Sequence, residues 1–285
     1  RIALLPLTYA FLDPRDRRSF MVRGFSNNEE SGIGRAFLSD SYKVIDHLDA
    51  LTAVLDGVRA SGAEVDITRC DLTDRKMYVK VAAPQVQALA PSLLAGYRSP
   101  FTREYGTDNP VVFAGFVIQN SETGCGAFSI TPSLTVQVCN NGLTIQKDAV
   151  RAVHLGGKLD EGVIRWSNET QQKTLELITA KTRDAVNTFL DVAYMERVIQ
   201  RMNEQAGVVL GGTLGLEVVR RVTKKLMFSD DVTNGVLDHF MDGLQWTAGG
   251  VMHAVTSFSQ MIPNADEAYW VESQGVRAME LAATI

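Results

Sequence analysis

Lys76, Tyr78 and Lys80 occupy alternate positions of one short run, Lys76-Met-Tyr-Val-Lys-Val81, with Met77, Val79 and Val81 between them. A two-residue period places the two sets on opposite faces of a strand. One face is apolar and belongs against a core. The other sets an aromatic ring between two ammonium groups, which suits a phosphate backbone and stacked bases. A solvated strand face with one amphipathic tyrosine has the same pattern. The connector Pro84–Asp108 adds Tyr97, Arg98, Phe101, Arg103 and Tyr105. Interleaved arginines and aromatics hold single strands by stacking and cation–π contact. With Lys147 and Arg151, the candidate nucleic-acid contacts are Lys76, Tyr78, Lys80, Tyr97, Arg98, Arg103, Tyr105, Lys147 and Arg151. If strand face and connector meet, they make a basic groove, with the acidic tail lying away from it.

No other chemistry is signalled. The chain has no nucleophile elbow, Walker loop, dinucleotide fingerprint or HExxH helix, so neither an enzyme nor a cofactor is expected. Gly211-Gly212-Thr-Leu-Gly215 lacks the spacing and the lysine of a phosphate loop. His239 and His253 have no cysteines nearby to complete a zinc set, and His47 reads as a boundary residue beside a helix stripe. Asp230-Asp231 reads as a helix N-terminal cap. Cys70, Cys125 and Cys139 are an odd number without CxxC spacing, and read as reduced thiols of a cytoplasmic protein.

The net charge is −5 and the pI about 5.5, which argues against a dedicated duplex-DNA binder. The distribution is uneven. Residues 66–158 carry nine basic and seven acidic side chains, whereas residues 205–285 carry five and nine. A locally basic surface in the first part is compatible with the acidic total. No apolar run approaches a membrane span and no secretory signal is visible. The sequence opens at Arg1 rather than Met, which leaves open whether a piece precedes it. Arg15, Arg17, Arg18 and Arg23 make its start either a plain charged arm or one that binds a partner or nucleic acid.

The elements that must position these residues are legible as patterns. Val111–Gln146 reads as a three-strand antiparallel meander, turning at Asn120–Gly126 and again at Asn140-Asn141-Gly142. Pro132 is expected at a bulge or an edge. Val136 and Val138 should face the core, and Gly142 should take positive φ. A hairpin of Glu64–Cys70 and Lys76–Ala83 precedes the meander, and Val150–Leu155 reads as a further short strand. Ser39–Ala60 reads as a helix capped by Ser39 or Ser41, with a Val44/Leu48/Leu51/Leu55/Val58 stripe and a stop at Ser61-Gly62. Thr170–Gln205 contains no proline or glycine; at 1.5 Å per residue it would run ~50 Å, so it either crosses the sheet or bends. The fold class is α+β: a small antiparallel sheet crossed by a long helix, then a helical C-terminal part. The expected divisions are 1–38 (arm), 39–205 (core) and 206–285 (helical region).

Three segments carry a family resemblance: Arg35-Ala-Phe-Leu-Ser-Asp-Ser-Tyr-Lys-Val-Ile-Asp46, Gln119-Asn-Ser-Glu-Thr-Gly124 and Val138-Cys-Asn-Asn-Gly-Leu143, followed by His154. Together they resemble a phage- and plasmid-borne family known as a domain of unknown function. Asn140 stands where that family more often has Thr or Gln, and Ser41 where it has a basic residue. The order hairpin, meander, long helix is also similar to that of phage single-strand annealing proteins. That likeness implies single-stranded DNA as partner, strand annealing in recombination, and a homo-oligomeric ring or filament. The alternative is a phage or plasmid interaction protein, such as an inhibitor of a host defence complex, that binds no nucleic acid.

Overall fold

The computed structural model describes residues 20–28, 31–156, 164 and 166–285; Arg15, Arg17 and Arg18 lie outside them. The architecture is α+β. One sheet runs β3 (Asp66–Leu72), β4 (Met77–Leu89), β5 (Val111–Asn120), β6 (Phe128–Val136) and β7 (Asn141–Thr144), with β8 (Val150–Ala152) also paired to β6. All its pairs are antiparallel, so the expected hairpin and meander merge into one surface. Val79, Val81, Val112, Ala114, Phe116, Ile118, Ile130, Leu134 and Val136 point inward and are buried. Pro132 sits at neither a bulge nor an outer edge. On one side it pairs with Phe116; on the other, β6 changes partner from β8 to β7 at this residue, where a missing N–H interrupts no ladder.

Residues 20–39 are not an arm. They form a second, two-stranded sheet, β1 (Phe20–Asn28) and β2 (Ser31–Ser39), whose Leu38 is buried with Tyr42 and Val44. Ser39 therefore ends a strand and caps no helix. Helix α1 begins later, at His47–Ser61, behind an N-cap Asp46, and ends at Gly62 with φ 73°. Its buried face is Ala50, Ala53, Val54, Gly57 and Val58, rotated from the expected stripe, and Leu48 is 74% exposed. The reason is α2 (Asn168–Phe189). A Cβ on Gly57 would come 2.8 Å from the Thr182 side chain, so small residues let the two helices touch.

The expected long helix bends. It divides after α2 at Leu190–Asp191, where Asp191 accepts a hydrogen bond from the Tyr194 amide and starts α3 (Val192–Ala206). Ser167 caps α2, its side chain accepting from the Thr170 amide. Helices α4 (Gly212–Lys225), α5 (Asp230–Asp242), α6 (Ala248–Ser259), α7 (Ala265–Ser273) and α8 (Gly275–Ala282) follow. Ser229 is the N-cap of α5, while Asp230 and Asp231 occupy the first turn, where the helix dipole favours them. Residues 206–285 are helical but share the main core: Val251, Met252, Val255 and Met279 pack in one cluster with Val54, Ile118 and Val186. Among the described residues no helix is long and apolar enough to cross a membrane.

Candidate functional site

The face of β4 opposite the core is formed as its alternation predicts, but it is not open. Helix α7 lies across it. Tyr269 stacks on Tyr78 with centroids 4.1 Å apart and planes 7° from parallel. The Tyr78 hydroxyl donates to Asp266 Oδ1 at 2.9 Å, and that of Tyr269 to Asp71 Oδ2 at 3.1 Å. Lys80 Nζ donates to Glu272 Oε2 and sits 5.1 Å from the Tyr269 ring centre. Tyr78 is left 2% exposed. Burial, then the Asp266 carboxylate, push its hydroxyl far above the usual phenol range. The acidic tail thus does not lie away from this face: it supplies the two carboxylates that satisfy it.

On one side of α7 a cleft of about 320 Å³ opens over the sheet. Lys76 stands at one wall and Arg151, which pairs with Ser129 across β6 and β8, at another. Gln119, Ser129 and Thr131 line it with amide and hydroxyl groups, and Trp270 adds an indole that is 41% exposed. On the other side a second cleft, about 330 Å³, is lined by Arg69, Lys80, Thr135 and Asn140. Glu272 and Val117 line both clefts. Arg69 is held by Asp71 Oδ2 at 2.6 Å.

The other candidates go elsewhere. Tyr97 is 1% exposed, in the main core, stacked on His253 at 4.4 Å and accepting from Asn141 Nδ2 at 3.2 Å. With Leu93 and Leu94 it draws the connector into the core. Arg98 and Arg103 are thereby carried to the C-terminal end of α5. There Arg98 donates to the Asp242 carbonyl at 3.1 Å and Arg103 pairs with the Asp242 carboxylate at 3.3 Å. A helix C-terminus favours cations. Tyr105 bridges back to Arg98, and Lys147 pairs with Glu280 at 2.6 Å. None of these five lines either cleft. The structure therefore gathers Lys76, Tyr78, Lys80 and Arg151, and separates Tyr97, Arg98, Arg103, Tyr105 and Lys147 from them. Sequence reasoning passed over Asp266, Tyr269 and Glu272. Their signal was a three-residue spacing that sets acid, ring and acid along one helix face.

Two of the three segments carrying the family resemblance, 35–46 and 119–124, meet with His154 at a different place, around Glu122, whereas 138–143 lies elsewhere, with Asn141 at Tyr97 and Gly142 beside Glu272. Its carboxylate accepts from the His47 amide at 2.6 Å and from Arg23 Nε at 3.3 Å, and forms an ion pair with Arg23 Nη2 at 2.9 Å. Arg35 Nη1 lies 3.7 Å away, and Arg23 also reaches Asp46 at 2.5 Å. Asn120 Nδ2 donates to the Ile45 carbonyl at 2.9 Å and meets His47 Nδ1 at 3.1 Å. His154 Nδ1 accepts from the Ile45 amide at 2.9 Å. Burial holds His154 down at about 4, so it is neutral near pH 7, and burial lowers His47 as well. Burial opposes charge on Glu122 as well, but the His47 amide, His47 and Arg23 together outweigh it and lower its pKa. The arginines come from β1 and β2, and Glu122 from the β5–β6 turn. The cluster therefore ties the small sheet to the main one, and Arg23 serves there rather than in a free basic arm.

Comparison with protein-family models, curated proteins and solved structures finds no match to this chain.

Proposed function

We propose that the chain is a binding module for single-stranded nucleic acid and that the strand lies over the outer sheet face at the Lys76–Arg151 cleft. The observation that supports this is two cations flanking a cleft of about 320 Å³ with an exposed indole at its rim. That volume lies within the range of small-ligand pockets and suits one nucleotide at a time. Lys76 and Arg151 would each take a phosphate, and Trp270 a base. Uncharged polar groups on the floor impose no particular base. Annealing within a ring or filament of copies is the further step that the looser resemblance implies.

Fluorescence anisotropy of a labelled twenty-nucleotide oligo-dT at two salt concentrations tests the reading. Lys76→Glu with Arg151→Glu should weaken binding more than tenfold and flatten the salt dependence, because fewer counterions are released. Trp270→Ala should weaken binding and leave the salt slope unchanged, since it removes stacking alone, worth ~1–3 kcal/mol per base. A parent protein that binds no oligonucleotide at low salt overturns the proposal. The alternative, a protein-interaction role, is favoured by one observation. Among the described residues strand β3 pairs only with β4, and it exposes Ile67 and Leu72, as an edge open to strand addition would.

A further inference from the structure

We infer that the strip of β4 beneath α7 is a latent continuation of this binding site, and that α7 occupies it in the place of a nucleotide. The inference rests on the function proposed above and extends it to a second site. Three contacts of α7 reproduce what a single strand would offer. Tyr269 lies flat on Tyr78 as a base would, at 4.1 Å and 7°. Glu272 presents a carboxylate to Lys80 as a phosphate would. Asp266 presents another to the Tyr78 hydroxyl at 2.9 Å and the Thr73 hydroxyl at 3.2 Å.

The shape of the sheet agrees. Clefts of about 320 and 330 Å³ lie on either side of α7 and share Val117 and Glu272 as lining residues. Without α7 they join into one trough, with Lys76 and Arg151 on one side and Arg69 and Lys80 on the other. The seat of α7 is also incompletely satisfied. Glu272 Oε1 is buried and has no hydrogen-bond partner among the described residues, although its other oxygen holds Lys80. Leaving a buried acceptor unmet is costly, and a departing α7 recovers that cost in water. Ala268 and Val271, buried on the core side, keep α7 seated at rest. A single strand that replaces Tyr269 on Tyr78 and Glu272 on Lys80 makes equivalent contacts and exchanges the Trp270 contact, which departs with α7, for those of the trough.

Two measurements test this. Tyr269→Ala removes the ring that covers Tyr78 without changing charge. It should bind the labelled oligo-dT at least fivefold more tightly than the parent, and the gain should vanish when Tyr78→Leu is added. Equal or weaker binding by a folded Tyr269→Ala overturns the inference. If that variant does not fold, hydrogen exchange on the parent decides. Saturating oligo-dT should speed exchange of the amides of residues 265–273, and unchanged or slower exchange there overturns the inference. A parent that binds oligo-dT without these effects leaves the cleft reading standing and removes only the latent site. A parent that binds nothing removes both.

Discussion

Replacing Glu122 with alanine should cost the protein the attachment of its small sheet. The side chains involved are nearly dry: Glu122 is 9% exposed, Arg35 3% and Arg23 15%. Removing the carboxylate leaves the Arg23 and Arg35 guanidinium groups without that counter-charge in a low-dielectric setting. Breaking a buried ion pair from one side costs about 3–5 kcal/mol. It also leaves the His47 amide, now 2.6 Å from Glu122 Oε1, without its acceptor. Glu122→Gln keeps that acceptor and the shape and loses only the charge, so the loss should fall to about 1.5–3 kcal/mol. Urea unfolding followed by tryptophan emission gives the global value. Hydrogen exchange of the β1 and β2 amides gives the local one, because the small sheet can open without the rest. A double-mutant cycle with Arg23→Met should return a coupling above about 1 kcal/mol. The pH dependence follows from the lowered pKa of Glu122. A depressed carboxylate pKa stabilises fully above the unfolded value, 4.5, and that stabilisation is lost as the pH falls through the folded value. The gap between parent and Glu122→Ala should therefore be complete at pH 7 and close in acid below pH 4.5. If neither the global nor the local free energy falls by about 1 kcal/mol, the cluster does not fasten the small sheet.

Two further outcomes are expected. Gly142→Ala should destabilise by about 1–3 kcal/mol in the same urea assay, because the new Cβ would stand 2.8 Å from Glu272 Oε1 and push on α7; full retention of stability would show that α7 yields freely there. In native protein a maleimide should label Cys70 and Cys125 quickly and Cys139 only on unfolding, because Cys139 is buried and its thiol is pushed up to about 11; rapid labelling of Cys139, read by mass spectrometry, would contradict that environment.

Local order was legible in the residues, and long-range coverage was not. The alternation Lys76–Val81 and the turns of the meander specify strands whatever surrounds them. Ser167 and Gly62 mark helix ends by their own chemistry. Asp191, by contrast, fits a helical run until its carboxylate is seen capping the Tyr194 amide. In the Asn140-Asn141-Gly142 turn the pattern points to Gly142 for positive φ, yet the residue that takes it is Asn140, at 54°. Gly142 is small for another reason, the approach of Glu272. Tyr97 shows the limit most clearly. A ring in an arginine-bearing connector has the same composition whether it waits for a base or fills a core. The choice was made by His253 and Asn141, far away in the chain. The strand face of Lys76, Tyr78 and Lys80 was read correctly as a face, and its cover could not be read from β4 at all.

That cover has a consequence for how the protein is made. Tyr78 and Asp266 are 188 residues apart, and Asp71 and Tyr269 are 198. Translation at about 5–20 residues per second delivers α7 roughly 10–40 s after β4. Hairpins form in microseconds, so β3 and β4 can pair long before their outer face is closed. Through that interval the nascent chain carries Tyr78, Lys76 and Lys80 uncovered, on a strand that later presents little of itself. A stalled ribosome bearing residues up to about 250 would hold the sheet with its outer surface bare.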